Sequence, residues 1–196
     1  QSLEALFYHI PGLRVVMPST PYDAKGLLTH SLRQDHPVMF LEHKHLYMTK
    51  GMVPEEDYEI EFGKAECMTE GDDVTIVAWS HMLLKAMEAA ETLAAENIRA
   101  EVINLRTLSP LDTDTIMTSV AKTNRVVIAQ EAVRRGGVAS DIASYIQEEE
   151  FYSLDAPIEI VAGLNIPIPF NLTLEKASVP QADDIVAAAK RTLEHA

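Results

Sequence analysis

The sequence predicts an α/β protein: a three-layer sandwich around a mostly parallel central sheet, preceded by a partial second α/β unit. Three observations carry this. From Asp72 onward, short apolar runs alternate with amphipathic stretches, the pattern of buried parallel strands with helices on both faces of a sheet. Residues 13–42 hold a further strand, helix and strand, a right-handed crossover unit of a parallel sheet. Between them, from about His43 to Gly71, the apolar period weakens, acids gather (Glu55, Glu56, Asp57, Glu59, Glu61) and Gly51, Pro54 and Gly63 break the chain, as in a linker.

Taken in order, Leu3, Leu6, Phe7 and Ile10 mark a helix to about His9. It is entered abruptly, without an initiator Met or a cap, which suggests a domain cut through its middle. Pro11-Gly12 makes a turn and LRVVM (13–17) a short strand. Ser19 or Thr20 can cap a helix from Tyr22 to about Gln34, with Ala24, Leu27, Leu28, Ser31 and Leu32 on one face. Asp35-His36-Pro37 stops it, because proline disfavours helix in the residue before it. VMFLE (38–42) follows as a buried strand. In the linker, Tyr58, Ile60 and Phe62 can pack.

The second unit reads DVTIVAW (strand), His81–Glu96 (helix), RAEVINL (strand), Thr113–Lys122 (helix), RVVIAQE (strand), Gly137–Glu150 (helix), PIEIVA (strand) and Gln181–Glu194 (helix). Gly163 to Val186 is a long connection with three prolines before Gln181, and loops of that length are usually functional or interfacial. Ile166, Ile168 and Phe170 alternate with prolines there, giving an apolar surface poor in hydrogen bonds, suited to burial against another subunit or its own sheet.

Composition removes several classes of function. The formal charge of −14, from 30 acids against 16 bases, argues against nucleic-acid binding, which needs Lys and Arg to neutralise phosphates. No apolar run approaches the roughly 18 residues of a membrane-spanning helix. The single cysteine, Cys67, excludes an internal disulfide and suits a reducing compartment. Its acidic neighbours Glu66 and Glu70 disfavour a reactive thiolate.

Few residues suggest chemistry. Arg134, Arg135, Gly136 and Gly137 lie where a strand ends and a helix opens, a place that attracts anions in open α/β sheets. The alternative is close packing at the glycines, with the arginines paired to neighbouring acids or set in a subunit contact. Arg106, leaving another strand end, can bind an anion or clamp its loop by donating to backbone carbonyls. His43 and His45 share a strand face beside Glu42 and Tyr47, but a metal needs three or four ligands, and no matching cluster can be read. His9, His30, His81 and His195 stand isolated, as solvated or hydrogen-bonded side chains do.

Four stretches carry a family resemblance: QSLEALFYHIPGLRVVMPSTPYDAKGLL, INLRTLSPLD, QEAVRRGGVAS and GLNIPIPFNLTLEKASVPQ. Together they resemble the β subunit of the thiamine-diphosphate-dependent 2-oxo acid dehydrogenases of the pyruvate, acetoin or branched-chain type. The resemblance implies the end of a pyrimidine-binding domain over 1–50, a linker over 51–71 and a transketolase-type C-terminal domain over 72–196. It implies that the chain is the C-terminal part of a subunit whose active-site His precedes Gln1 and whose cofactor-activating Glu lies further upstream. Gln1 is then the one residue near that site, and none in this chain holds cofactor.

The full assembly would carry thiamine diphosphate and Mg. It would join an α subunit in an α2β2 tetramer, with a second β subunit and the subunit-binding domain of an acyltransferase core, in a bacterial cytoplasm or an organellar matrix. The implied interface or anion residues are Arg106, Arg134, Arg135, Gly136, Gly137 and Phe170. In some members, backbone oxygens matching Ser31, Leu32, Gln34 and His36 hold a structural potassium, although Gln34 stands where the family often has Asp. Other readings are a stand-alone association module, or an anion-binding flavodoxin-like domain built on the Arg134–Gly137 turn.

Overall fold

The alternating apolar runs form two sheets in a computed structural model of the chain, which describes residues 2–194. The elements are α1 (Glu4–Tyr8), β1 (Arg14–Val16), α2 (Pro21–Leu32), β2 (Val38–Phe40), β3 (Glu66–Thr69), β4 (Val74–Ala78), α3 (His81–Ala95), β5 (Ala100–Asn104), β6 (Thr107–Ser109), α4 (Thr113–Thr123), β7 (Val126–Val133), α5 (Val138–Glu149), β8 (Glu159–Gly163), α6 (Leu172–Ser178) and α7 (Ala182–Leu193). A 3-10 turn covers Lys44–Met48.

The larger sheet has the order β3-β5-β4-β7-β8. It is parallel except for the edge strand β3, which runs antiparallel to β5. Its central strands are apolar on both faces because helices cover both, as expected for a parallel sheet. Ile76, Val102 and Val127 pack with Leu83, Leu93 and Ile185 of α3 and α7. Val77, Ile103 and Ile128 pack on the other side with Ile116 of α4 and Ile142 of α5. The three-layer sandwich is therefore present.

The smaller sheet is β2-β1-β6, with β1 parallel to β2 and antiparallel to β6. Thr107–Ser109 thus leaves the larger sheet to complete the smaller one, and Val15 of β1 and Met17 just after it enter the core beneath α4 and α5. Arg106, at φ +59°, makes the bend, and its carbonyl accepts the Met17 N–H at 2.9 Å.

Three expectations need correction. The acidic stretch contains β3, hidden from a periodicity reading because an edge strand is only half covered. The long connection after β8 contains α6, capped by Asn171, whose side chain accepts from the Thr173 and Leu174 N–H groups at 3.0 and 3.2 Å. The buried face of α2 is also rotated: Asp23, Gly26 and Leu27 face inward, while Leu28 and Leu32 are exposed.

The rotation has two causes. Thr20 and Asp23 form a reciprocal capping box, each side chain accepting the other's N–H at 3.0 and 3.1 Å, and Asp23 turns toward Arg106. Ile60 and Tyr58 then lie on Gly26, where an added Cβ would come within 2.6 and 2.7 Å of them. The linker residues Tyr58, Ile60 and Phe62 do pack, against Val16 and Leu27.

Candidate functional site

Strand order locates the crevice of the larger sheet. From β4 the chain steps one way to β5, then returns past β4 to β7. Ligands of open α/β sheets lie at such a reversal, outside the carboxyl ends of the two strands. His81 follows the end of β4 as the first residue of α3, and Glu131 lies near the end of β7. Ser80, just before His81, is held at φ +52° with its hydroxyl buried and without a partner. Non-glycine residues adopt such a backbone at a cost of about 1–3 kcal/mol and do so mainly at functional positions.

From the other side, the chain leaving β2 brings His43 to the same place. Its Nε2 lies 3.1 and 3.0 Å from the two Glu131 carboxylate oxygens, while His81 Nδ1 lies 3.3 Å from Oε2. The two imidazoles stack at 4.7 Å between ring centres. Burial would raise the Glu131 carboxyl, but hydrogen bonds and charge from His43 and His81 outweigh it and hold the group at about 2. His81 is therefore not isolated, as its position in the sequence suggests. Its partners lie 38 and 50 residues away (81 − 43 and 131 − 81), a separation that no local spacing rule could bridge.

The cluster opens into a cavity of about 710 Å³ between α1, the chain after β2, and α6. Glu4 of α1 lines it and is 1% exposed, with both carboxylate oxygens lacking a partner. Phe7, Met17, Leu41 and Leu172 supply apolar wall.

A second buried polar assembly joins the two sheets. Asp23, fully buried, accepts from Arg106 Nε at 2.7 Å and Asn104 Nδ2 at 2.9 Å. Ser19 Oγ donates to Asn104 Oδ1 at 2.9 Å, and the far end of the guanidinium pairs with Glu66 of β3. Arg106 is thus neither an anion ligand nor a clamp on backbone carbonyls. Two carboxylates occupy it, Asp23 from helix α2 and Glu66 from β3 of the larger sheet.

The remaining expected residues lie apart. Gln1 is outside the described residues. Arg134, Arg135 and Gly136 are exposed, and no ion pair holds either arginine among the described residues. Their turn is already closed from within: the Gly137 N–H donates to the Arg134 carbonyl at 3.2 Å, and the Ala139 N–H donates to the buried Gln130 side chain at 2.9 Å. An added Cβ on Gly137 would come within 2.2 Å of Gln130, so this glycine is required by packing. Among the described residues the arginines are not paired with acids, and two of the N–H groups at this turn are already taken from within.

Ser31, Leu32, Gln34 and His36 lie at the end of α2 and just beyond, where the Ser31 carbonyl accepts the Gln34 N–H at 3.3 Å. Phe170 is fully exposed, amid exposed Leu164, Ile166, Leu172 and Leu174. Cys67 is exposed, and burial of its sulfur followed by the charge of Glu101 raises its thiol. No helix among the described residues is long and apolar enough to cross a membrane.

Comparison with known proteins agrees with this architecture. Residues 63–185 match the model of the transketolase C-terminal domain, and residues 1–50 match that of the transketolase pyrimidine-binding domain. The acetoin:2,6-dichlorophenolindophenol oxidoreductase subunit beta of Cupriavidus necator is 50% identical over 99% of this chain and 57% of its own. The pyruvate dehydrogenase E1 component subunit beta of Rickettsia felis is 47% identical over 97% of this chain and 59% of its own. The 2-oxoisovalerate dehydrogenase subunit beta of Bacillus subtilis is 43% identical, over 99% and 60%. A solved structure described as a split-gene transketolase, inactive beta4 tetramer, superposes with a TM-score of 0.80 at 29% identity, covering 97% of this chain and 60% of that one. The chain thus spans roughly three-fifths of these relatives, and the match removes the flavodoxin-like reading.

Proposed function

The chain belongs to the transketolase C-terminal domain family, and from that premise we propose that it is part of the β subunit of a thiamine-diphosphate-dependent 2-oxo acid dehydrogenase. The observation that carries this is identity of 43–50% over nearly the whole chain with subunits named for acetoin, pyruvate and 2-oxoisovalerate. The work proposed for these residues is assembly. They would contact an α subunit and a second β subunit in an α2β2 tetramer, and dock the subunit-binding domain of an acyltransferase core.

Exposed apolar side chains support an assembly role. Leu164, Ile166, Phe170, Leu172 and Leu174 stand on the connection after β8 and its helix α6, and Leu3, Leu6 and Ile10 on and beside α1. Apolar groups gathered in this way mark contact surfaces. Leu28 and Leu32 of α2, turned outward by the Asp23–Arg106 pair, form a third such face. The end of α2, with the carbonyls of Ser31, Leu32, Gln34 and His36, is the proposed place for a potassium ion.

Thiamine diphosphate supplies the carbanion chemistry of such enzymes. We infer that its diphosphate is held outside this chain. The cavity is faced by the buried, unpartnered carboxyl group of Glu4 and by Lys44, Lys85 and Lys176, with no built set of donors for a diphosphate among the described residues. In the assembled enzyme it would be held, with Mg, by residues outside this chain.

The test is to mix the chain with the α subunit and the acyltransferase core and follow sedimentation velocity. Co-sedimentation with both partners is expected. Migration of the chain alone in both mixtures would remove the assembly role.

A further inference from the structure

We propose that His43, His81 and Glu131 form a binding site for a divalent transition-metal ion of the zinc class, at the mouth of the cavity between the two sheets. The donor set fits such an ion. Two imidazoles and a carboxylate suit zinc and its neighbours, whereas magnesium and calcium prefer oxygen alone. The ligand atoms all lie within 4.8 Å of one another, and both His–Glu separations are 3.0–3.3 Å. Donors held tetrahedrally about 2.0–2.1 Å from an ion stand about 3.3–3.4 Å apart, so the His–Glu separations already fit, while the stacked imidazoles, 11° from parallel, turn relative to one another to aim both lone pairs at one ion.

Two independent observations point toward a cation here. The strand-order reversal between β4 and β7 places His81 and Glu131 where this fold class puts its ligands. Glu4 presents a buried carboxyl group without a hydrogen-bond partner to the same cavity, and a polar group so placed is costly to bury with nothing to pair it. Three protein ligands leave a fourth position open to water or to a ligand entering from the cavity.

Loading has a structural consequence at His43. In the metal-free chain the His43 Nδ1 accepts the His45 N–H at 3.2 Å, so Nε2 carries the proton and donates to Glu131. An ion on Nε2 needs the proton on Nδ1 instead, and the His45 contact is given up at about 1 kcal/mol. Zinc-class ions bound by folded sites return several times that. The ion would tie the chain leaving β2 to the switch point of the larger sheet.

The complete chain, stripped with chelator, is titrated calorimetrically with zinc chloride and, separately, magnesium chloride. One zinc per chain, no magnesium and a raised thermal midpoint are expected. His81→Gln and Glu131→Gln should each weaken zinc by at least about tenfold, the loss caused even by removing an outer partner of a metal site. His9→Gln, at an exposed histidine outside this cavity, should leave it unchanged. Because a variant can misfold, cobalt is also added to the unaltered chain. A tetrahedral nitrogen–oxygen absorption spectrum, with a tautomer change at His43 in imidazole nitrogen NMR, is expected. Absence of zinc binding, zinc binding unaffected by both variants, or an octahedral cobalt spectrum with no change at His43 would each overturn the site.

Discussion

The Arg106 guanidinium donates to the Asp23 carboxylate at 2.7 Å, and both side chains are withdrawn from water. Asp23 belongs to the crossover helix of the smaller sheet and Arg106 to the bend leaving the larger one, so the pair fixes how the two sheets meet. Burying an ion pair is not in itself strongly stabilising, but removing one partner strands the other's charge at about 3–5 kcal/mol. Arg106→Met should therefore cost about 3 kcal/mol, the low end of that range, because the Asn104 amide and the capping-box N–H groups still hold Asp23. Adding Asp23→Leu should recover part of that loss, leaving a coupling of about 0.5–3 kcal/mol. Urea denaturation of the four proteins of the cycle measures it, and additive losses would remove the pair from its fastening role.

Much of this was legible in the sequence, for a physical reason. Strands buried on both faces, such as VTIVA and VVIAQ, are apolar throughout, and helices such as Ala182–Leu193 are strongly one-sided. Both signals are local. What escaped depends on distance or on partial cover. Glu66–Thr69 is an edge strand with one neighbour, and Thr107–Ser109 is too short for its period to register. The inward face of α2 carries an aspartate and a glycine, which read as solvent-facing until Arg106 and Ile60 arrive from far along the chain. His43, His81 and Glu131 come from three segments of unremarkable composition, and only the fold brings them together. The glycines of QEAVRRGG were readable as packing or as an anion loop; the Gln130 side chain explains Gly137 by packing, while Gly136, at φ +63° with open space around it, is explained by its backbone.

Tyr8 of α1 donates to Asp141 of α5, and burial, followed by that hydrogen bond and the charge of Asp141, raises its phenol well above its ordinary value. The folded chain therefore keeps its proton where the unfolded chain, near pH 10, begins to lose it. A raised acid contributes stability that is complete below the unfolded value and is lost as pH climbs toward the folded one. The denaturation midpoints of the unaltered chain and Tyr8→Phe should thus differ at neutral pH and converge above about pH 10. Parallel curves across that range would show that the phenol proton does not support the α1–α5 contact.

Phe170 offers the sharpest separation of folding from assembly. Its ring is fully exposed, one residue before the Asn171 cap of α6, so it contributes little to the stability of the chain. Phe170→Asp should shift the denaturation midpoint by no more than about 0.5 kcal/mol, as surface substitutions do. At a subunit contact the same change buries a charge where an aromatic anchor sat, and such anchors are worth about 2 kcal/mol or more. Association with the α subunit or the second β subunit should then weaken by more than about tenfold in sedimentation equilibrium. If association survives intact while the fold does too, the connection after β8 lies outside the assembly surface, and the exposed faces of α1 and α2 are left to provide it.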